Sequence, residues 1–176
     1  MREPVDKRRI LEFLRALGRE ARGEVRVYLT GGATAVLEGW RSSTADVDLK
    51  ILPDSDEILR SIPELKERLR VNVELAAPSD FIPELPGWQD RSRFIDRIGT
   101  ASFFHYDPYA QALAKIERGH AKDLADVRAM LARGLVEPAK LHSLFDDIEP
   151  LLFRYPAIDP KSFRRAVEDV AAARPP

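Results

Sequence analysis

Apolar residues at Ile10, Phe13, Leu14 and Leu17 fall on one helical face and predict a helix over residues 5–19. Val25, Val27 and Leu29 then alternate with Arg26, Tyr28 and Thr30, the pattern of a strand. Gly31-Gly32 ends that strand, and residues 33–38 read as a short helix closed by Gly39. Residues 46–52 alternate again as a second strand. Residues 54–70 are helical in pattern, with a kink or restart expected at Pro63. Residues 71–76 make a third alternating strand. Residues 77–99 carry Pro78, Pro83, Pro86 and Trp88 and read as an ordered loop with one helix at 89–97. Residues 100–106 predict a fourth strand.

Past residue 106 the pattern becomes wholly helical. Asp107-Pro108 is a start signal, because the carboxylate caps and proline suits the first helical position. Asp159-Pro160 repeats it. Helices are expected at about 108–119, 122–133, 138–153 and 160–173. The chain is therefore predicted as α+β: a small mixed sheet with flanking helices over residues 1–106, then a helical lobe over 107–176. The two are expected to pack as one compact unit with a cleft between them.

Composition narrows the function classes. The chain has 176 residues, enough to bury a core without staples. Its 28 basic and 29 acidic residues leave a net charge of −1, so no global charge argument points to nucleic acid or membrane. The absence of cysteine excludes disulfides, thiolate zinc sites and cysteine nucleophiles. Met1-Arg2-Glu3 is no apolar leader, and no apolar run reaches the roughly 20 residues of a membrane span, so a cytoplasmic location is expected. The short Ala-Pro tail at 171–176 is the one low-complexity stretch.

The chemistry concentrates in residues 28–50. Glycines at a strand-to-helix turn let backbone approach a phosphate closely. Asp46 and Asp48, two apart on a strand, leave from the same face about 6–7 Å apart. Paired carboxylates suit magnesium, a hard cation that shares oxygen ligands with substrate phosphates. Taken singly, Gly-Gly marks a turn and Asp-x-Asp a solvated strand face; their order and separation give the set its meaning.

That order, Gly31-Gly32, thirteen intervening residues, then Asp46-Val47-Asp48-Leu49, resembles the signature of the nucleotidyltransferase superfamily of the DNA-polymerase-β type. The resemblance implies that Gly31, Gly32 and Thr34 cradle a nucleoside triphosphate and that Asp46 and Asp48 hold magnesium. It also implies a third carboxylate, best matched by Glu74 and next by Asp80. The second half resembles the branch of AbiEii and MenT-type toxins. It resembles more closely a group of short nucleotidyltransferase-like proteins that share the run Pro78-Ser79-Asp80-Phe81-Ile82-Pro83 and the Asp107-Pro108-Tyr109 and Lys122-Asp123-Leu124-Ala125-Asp126-Val127 segments. From the toxin branch come a lysine matched by Lys115, for the leaving pyrophosphate, and an aspartate matched by Asp123. Lys115 borders the apolar face of its helix, where a lysine reaches into a cleft or snorkels outward; the resemblance favours the cleft. Asp123 has a competing structural role as a helix-start carboxylate.

The resemblance further implies transfer of a nucleotide to an acceptor hydroxyl, such as the 3′ end of a tRNA, in a toxin–antitoxin or defence system with a cognate partner. An antitoxin that transfers AMP to a partner protein, and a non-catalytic nucleotide-binding or interaction module, are the alternatives. Other residues add little. His105, His120 and His142 show no zinc spacing. Arg91, Arg93 and Arg97 read as a solvated helix face. Arg41 and Ser42, Ser43 and Thr44 form the approach to the acidic pair.

Overall fold

A computed structural model describes residues 3–173, so Met1, Arg2 and residues 174–176 of the Ala-Pro tail lie outside the described residues. The chain divides into two compact units. The first runs to Ala77 and resumes over Ser92–Tyr106; the second comprises Pro78–Arg91 and the described chain from Asp107 onward.

The first unit contains β1 (Val5–Asp6), α1 (Lys7–Glu20), β2 (Val25–Thr30), α2 (Gly32–Glu38), β3 (Ser43–Thr44), β4 (Asp46–Leu52), α3 (Asp56–Leu69), β5 (Asn72–Leu75), β6 (Arg93–Ile98) and β7 (Ala101–His105). Five strands form one mixed sheet in the order β5-β4-β2-β7-β6; β2–β4 and β6–β7 pair antiparallel, β2–β7 and β4–β5 parallel. This is the mixed α+β architecture the alternation predicts. Every second residue of the central strands (Val27, Leu29, Val47, Leu49, Phe103) is buried with Ile10, Phe13, Leu14 and Leu17 of α1 and with Ile58, Ile62 and Leu65 of α3. Asp6 starts α1 by accepting from Arg9 N at 2.9 Å, and Ser55 caps α3.

Local rules and packing disagree at three places. The restart expected at Pro63 does not occur: α3 is one helix, because burial of Ile58, Ile62 and Leu65 on both sides of the proline outweighs its cost of about 3 kcal/mol. The helix expected over 89–97 stops at Arg91, and residues 93–98 instead form edge strand β6. Gly99 at φ 61 turns that segment back onto β7, and the hairpin ladder takes its backbone groups, with a bulge between Phe94 and Asp96. The two-residue pair β1–β3 was not foreseen, since so short a ladder has no periodicity to read.

The second unit contains α4 (Trp88–Arg91), α5 (Pro108–Arg118), α6 (Ala121–Ala132), α7 (Pro138–Ile148) and α8 (Pro160–Ala172), with 3-10 turns at Pro78–Asp80 and Glu149–Arg154. The helix expected over 138–153 changes to 3-10 after Ile148, where Pro150 can neither donate to nor fit beneath the preceding turn. Asp107 caps α5 by accepting from Tyr109 N at 3.0 Å, and Gly119 ends it at φ 71. Phe145 of α7 meets Phe163 of α8 edge-on at 4.8 Å. Among the described residues no helix is long and apolar enough to cross a membrane.

Candidate active site

β2 ends at Thr30, which pairs with Asp48 across the antiparallel ladder. The chain must turn there from strand to helix, and Gly31 does so at φ 65 and ψ −132, a backbone that favours glycine. A Cβ on Gly31 would lie 2.8 Å from Asp48 Oδ2, so the carboxylate stands over the turn. Gly32 is closed by Thr44: a Cβ there would lie 2.7 Å from the Thr44 Cβ. Thr44 is fixed in turn by β1 and by its own hydroxyl, which donates to Asp46 O at 3.0 Å. The residues approaching the acidic pair thus form the wall of the glycine turn.

On β4, Asp46 and Asp48 alternate with the buried Val47 and Leu49 and occupy the opposite face of the sheet. β5 runs parallel to β4 with Asp46 beside Asn72 and Asp48 beside Glu74, so the four side chains share that face. Asn72 Nδ2 donates to Asp46 Oδ1. The sequence signal for Asn72 is its place two residues before Glu74 in the same alternation. Glu74 is exposed. Asp80, the alternative third carboxylate, belongs to the 3-10 turn Pro78–Asp80 of the second unit.

Among the described residues no three His, Asp or Glu side chains are assembled to hold a metal ion. Two adjacent half-buried carboxylates nevertheless fit magnesium, which takes one or two carboxylates and completes its shell with water and substrate phosphate oxygens.

Thr34 lies two residues into α2, beyond the glycine turn. It is buried, its hydroxyl 3.3 Å from Leu29 O and 3.2 Å from His105 Nδ1. His105, at the end of β7, also places Nε2 3.2 Å from Glu38 Oε1, and Arg93 Nη1 approaches the same oxygen at 2.9 Å. A carboxylate only accepts, so Nε2 carries the proton of the neutral ring, while Nδ1 lies beside the Thr34 hydroxyl, which donates to Leu29 O. Burial lowers the His105 pKa to about 4, with Arg93 acting in the same direction and Glu38 opposing both. The unfolded chain therefore takes up a proton below about pH 6.5 that the folded chain refuses until about pH 4. Stability contributed by the neutral ring is complete above pH 6.5 and falls by about 3 kcal/mol as the pH drops to about 4. Urea midpoints measured from pH 7.5 to 4.5 are expected to fall less steeply for His105→Gln than for the wild type; parallel curves would contradict this assignment.

In the second unit, Lys115 and Asp123 come together. Lys115 is 5% exposed, with Nζ 2.7 Å from Asp126 Oδ2 and 3.7 Å from Asp123 Oδ1. Arg118 grips Asp123 through Nε at 2.8 Å and Nη2 at 2.6 Å. Burial acts to raise the Asp123 pKa, but the hydrogen bonds and charge of Arg118, with Lys115 nearby, outweigh it and hold the carboxyl below its ordinary value. His120 is the N-cap residue of α6, so Asp123 sits in the first turn.

Arg91, Arg93 and Arg97 do not form a helix face. Arg91 pairs with the fully buried Asp107 at 2.6 Å, Arg93 with Glu38 at 2.9 Å and Arg97 with Glu24 at 2.7 Å. Each meets a different carboxylate because the helix ends at Arg91 and residues 93–98 form a strand.

No curated protein and no solved structure matches the chain. A family model matches residues 8–170, which span the glycine turn, the acidic strand and, in whole or nearly so, the α-helices of the described residues. On that match the chain belongs to the family described as nucleotidyltransferase of unknown function (DUF6036).

Proposed function

We propose that this protein is a magnesium-dependent nucleotidyltransferase that moves a nucleotide from a nucleoside triphosphate to an acceptor hydroxyl. The observation that carries this reading is the Asp48 carboxylate standing over the Gly31–Gly32 turn, with Asp46 on the same strand face. Family membership supports it at the level of the reaction class.

In this reading the backbone of Gly31 and Gly32, which carry no side chains of their own, receives the triphosphate. Asp46 and Asp48 hold the magnesium, which when bound offsets the negative charge of the phosphates and of the pentavalent transition state. Asn72 leaves Asp46 one committed oxygen and one available oxygen. Glu74, beside Asp48, accepts the acceptor's proton as its oxygen bonds to the α-phosphorus; the bond to the bridging oxygen breaks and pyrophosphate leaves. Lys115 is assigned to that pyrophosphate and Asp123 to holding the cation. Lys115 and Arg118 are balanced by Asp123 and Asp126, so a phosphate contact requires Lys115 to exchange one carboxylate for another anion. Thr34, the third residue assigned to the phosphates, supports the turn from within the core.

The likeness to AbiEii and MenT-type toxins extends the proposal to a cytoplasmic toxin–antitoxin or defence component with a cognate partner, and to the tRNA 3′ end as acceptor. The test is transfer from labelled nucleoside triphosphates with magnesium, offering total tRNA and cell lysate as acceptors. Label on RNA is expected, falling by at least about a thousandfold in Asp46→Ala/Asp48→Ala. Label on a protein band instead would replace the tRNA acceptor by a protein one. Neither transfer nor magnesium-dependent triphosphate binding would leave an interaction module of the same fold.

A further inference from the structure

α2 has seven residues, too few to be held by its own hydrogen bonds, and it carries the glycine turn at its first residue. Thr34 and Glu38 stand four apart on this helix and so lie on one face. His105, from the end of the parallel neighbour β7, meets both: Nδ1 lies 3.2 Å from Thr34 Oγ1 and Nε2 3.2 Å from Glu38 Oε1. The ring is buried, and Arg93 of β6 approaches the same Glu38 oxygen at 2.9 Å. One rigid side chain thus ties the first and last turns of α2 to the sheet. The backbone link from α2 to the turn is the Ala35 N–H, which donates to Gly31 O at 3.2 Å.

We propose that His105 is a positioning residue for nucleotide binding: by clasping Thr34 and Glu38 together it locks α2 and thereby sets the Gly31–Gly32 turn against Asp48. This rests on the nucleotidyltransferase reading of that turn. His105 does not touch the substrate. It supplies a ring that meets Glu38 at one nitrogen and the Thr34 hydroxyl at the other, a pair of polar contacts that neither phenylalanine nor an aliphatic side chain reproduces.

Amide hydrogen exchange on the full chain tests the lock without reference to activity. In His105→Phe the Ala35 amide is expected to exchange about tenfold faster or more, while Val27 and Leu49 in the sheet keep their protection. His105→Gln, whose amide restores a donor to Glu38, is expected to recover part of the protection and also serves if the phenylalanine variant fails to fold. Steady-state kinetics then test the purpose of the lock: KM for the triphosphate rises about tenfold with kcat within about threefold, and Thr34→Val combined with His105→Gln adds little to either alone. Unchanged Ala35 exchange in both folded variants would overturn the proposal. Faster exchange with an unchanged KM would overturn the positioning role and leave a structural clasp. If the wild type transfers nothing, triphosphate binding affinity replaces KM; a wild type that binds no triphosphate defeats the nucleotidyltransferase reading and the positioning role with it, while the exchange result still decides the clasp.

Discussion

Lys115→Ala is expected to lower Tm by about 10 °C, a loss of about 3–5 kcal/mol. The substitution removes the ammonium that lies 2.7 Å from Asp126 and 3.7 Å from Asp123 in a site where all three groups are almost fully buried. Asp123 keeps Arg118, whereas Asp126 loses the ammonium 2.7 Å away, and removing one partner of a buried ion pair is strongly destabilising. The pair itself contributes much less than this loss suggests, since bringing both charges out of water opposes their attraction. The double variant Lys115→Met/Asp126→Leu is therefore expected to recover most of the lost stability. Thermal unfolding of the three proteins checks both statements. A single variant as stable as the wild type, or a double variant no better than the single, would show that the network is not the buried pair its geometry describes.

Gly32→Ala should cost about 2–3 kcal/mol, although alanine is ordinarily the better helix former. The added Cβ would sit 2.7 Å from the Thr44 Cβ, closer than real carbons approach. Thr44 cannot withdraw freely, because β1 and the bond to Asp46 O hold it. Gly23 provides the control: nothing lies within 4 Å of a Cβ built there, so Gly23→Ala should change stability by less than about 0.5 kcal/mol. Denaturant unfolding of the two variants separates a glycine required by close approach from one that merely occupies a loop. Equal effects at the two positions would contradict the packing described at the turn.

Much of this protein was legible one residue at a time. The alternation of Val25, Val27 and Leu29 and of Val47 and Leu49 marks two strands, and Asp107-Pro108 marks a helix start; that β2 is buried on both faces, Tyr28 and Thr30 included, was not in the pattern. The spacing from Gly31-Gly32 to Asp46-Val47-Asp48 was equally open to reading, because a strand of period two puts both carboxylates on one face wherever it lies in the sheet. Residues 93–98 were not legible. Their charges and apolar residues fit a helix as well as a strand, and only the partner β7, reached through Gly99, chose between them.

The site divides in the same way. Sequence determined which residue types could do chemistry and on which side of their own strand or helix they stand, since those follow from local backbone geometry. The tertiary structure decided what each one meets. It set Asp48 over Gly31, Asn72 on Asp46 and Thr44 against Gly32. It brought the Thr34 hydroxyl to His105, and it enclosed Lys115 between two aspartates. Each of these joins elements that are distant in the chain or free to pack in more than one way. Sheet register and helix packing fix such meetings, and both are settled by burying apolar surface across the whole fold rather than by the residues that meet.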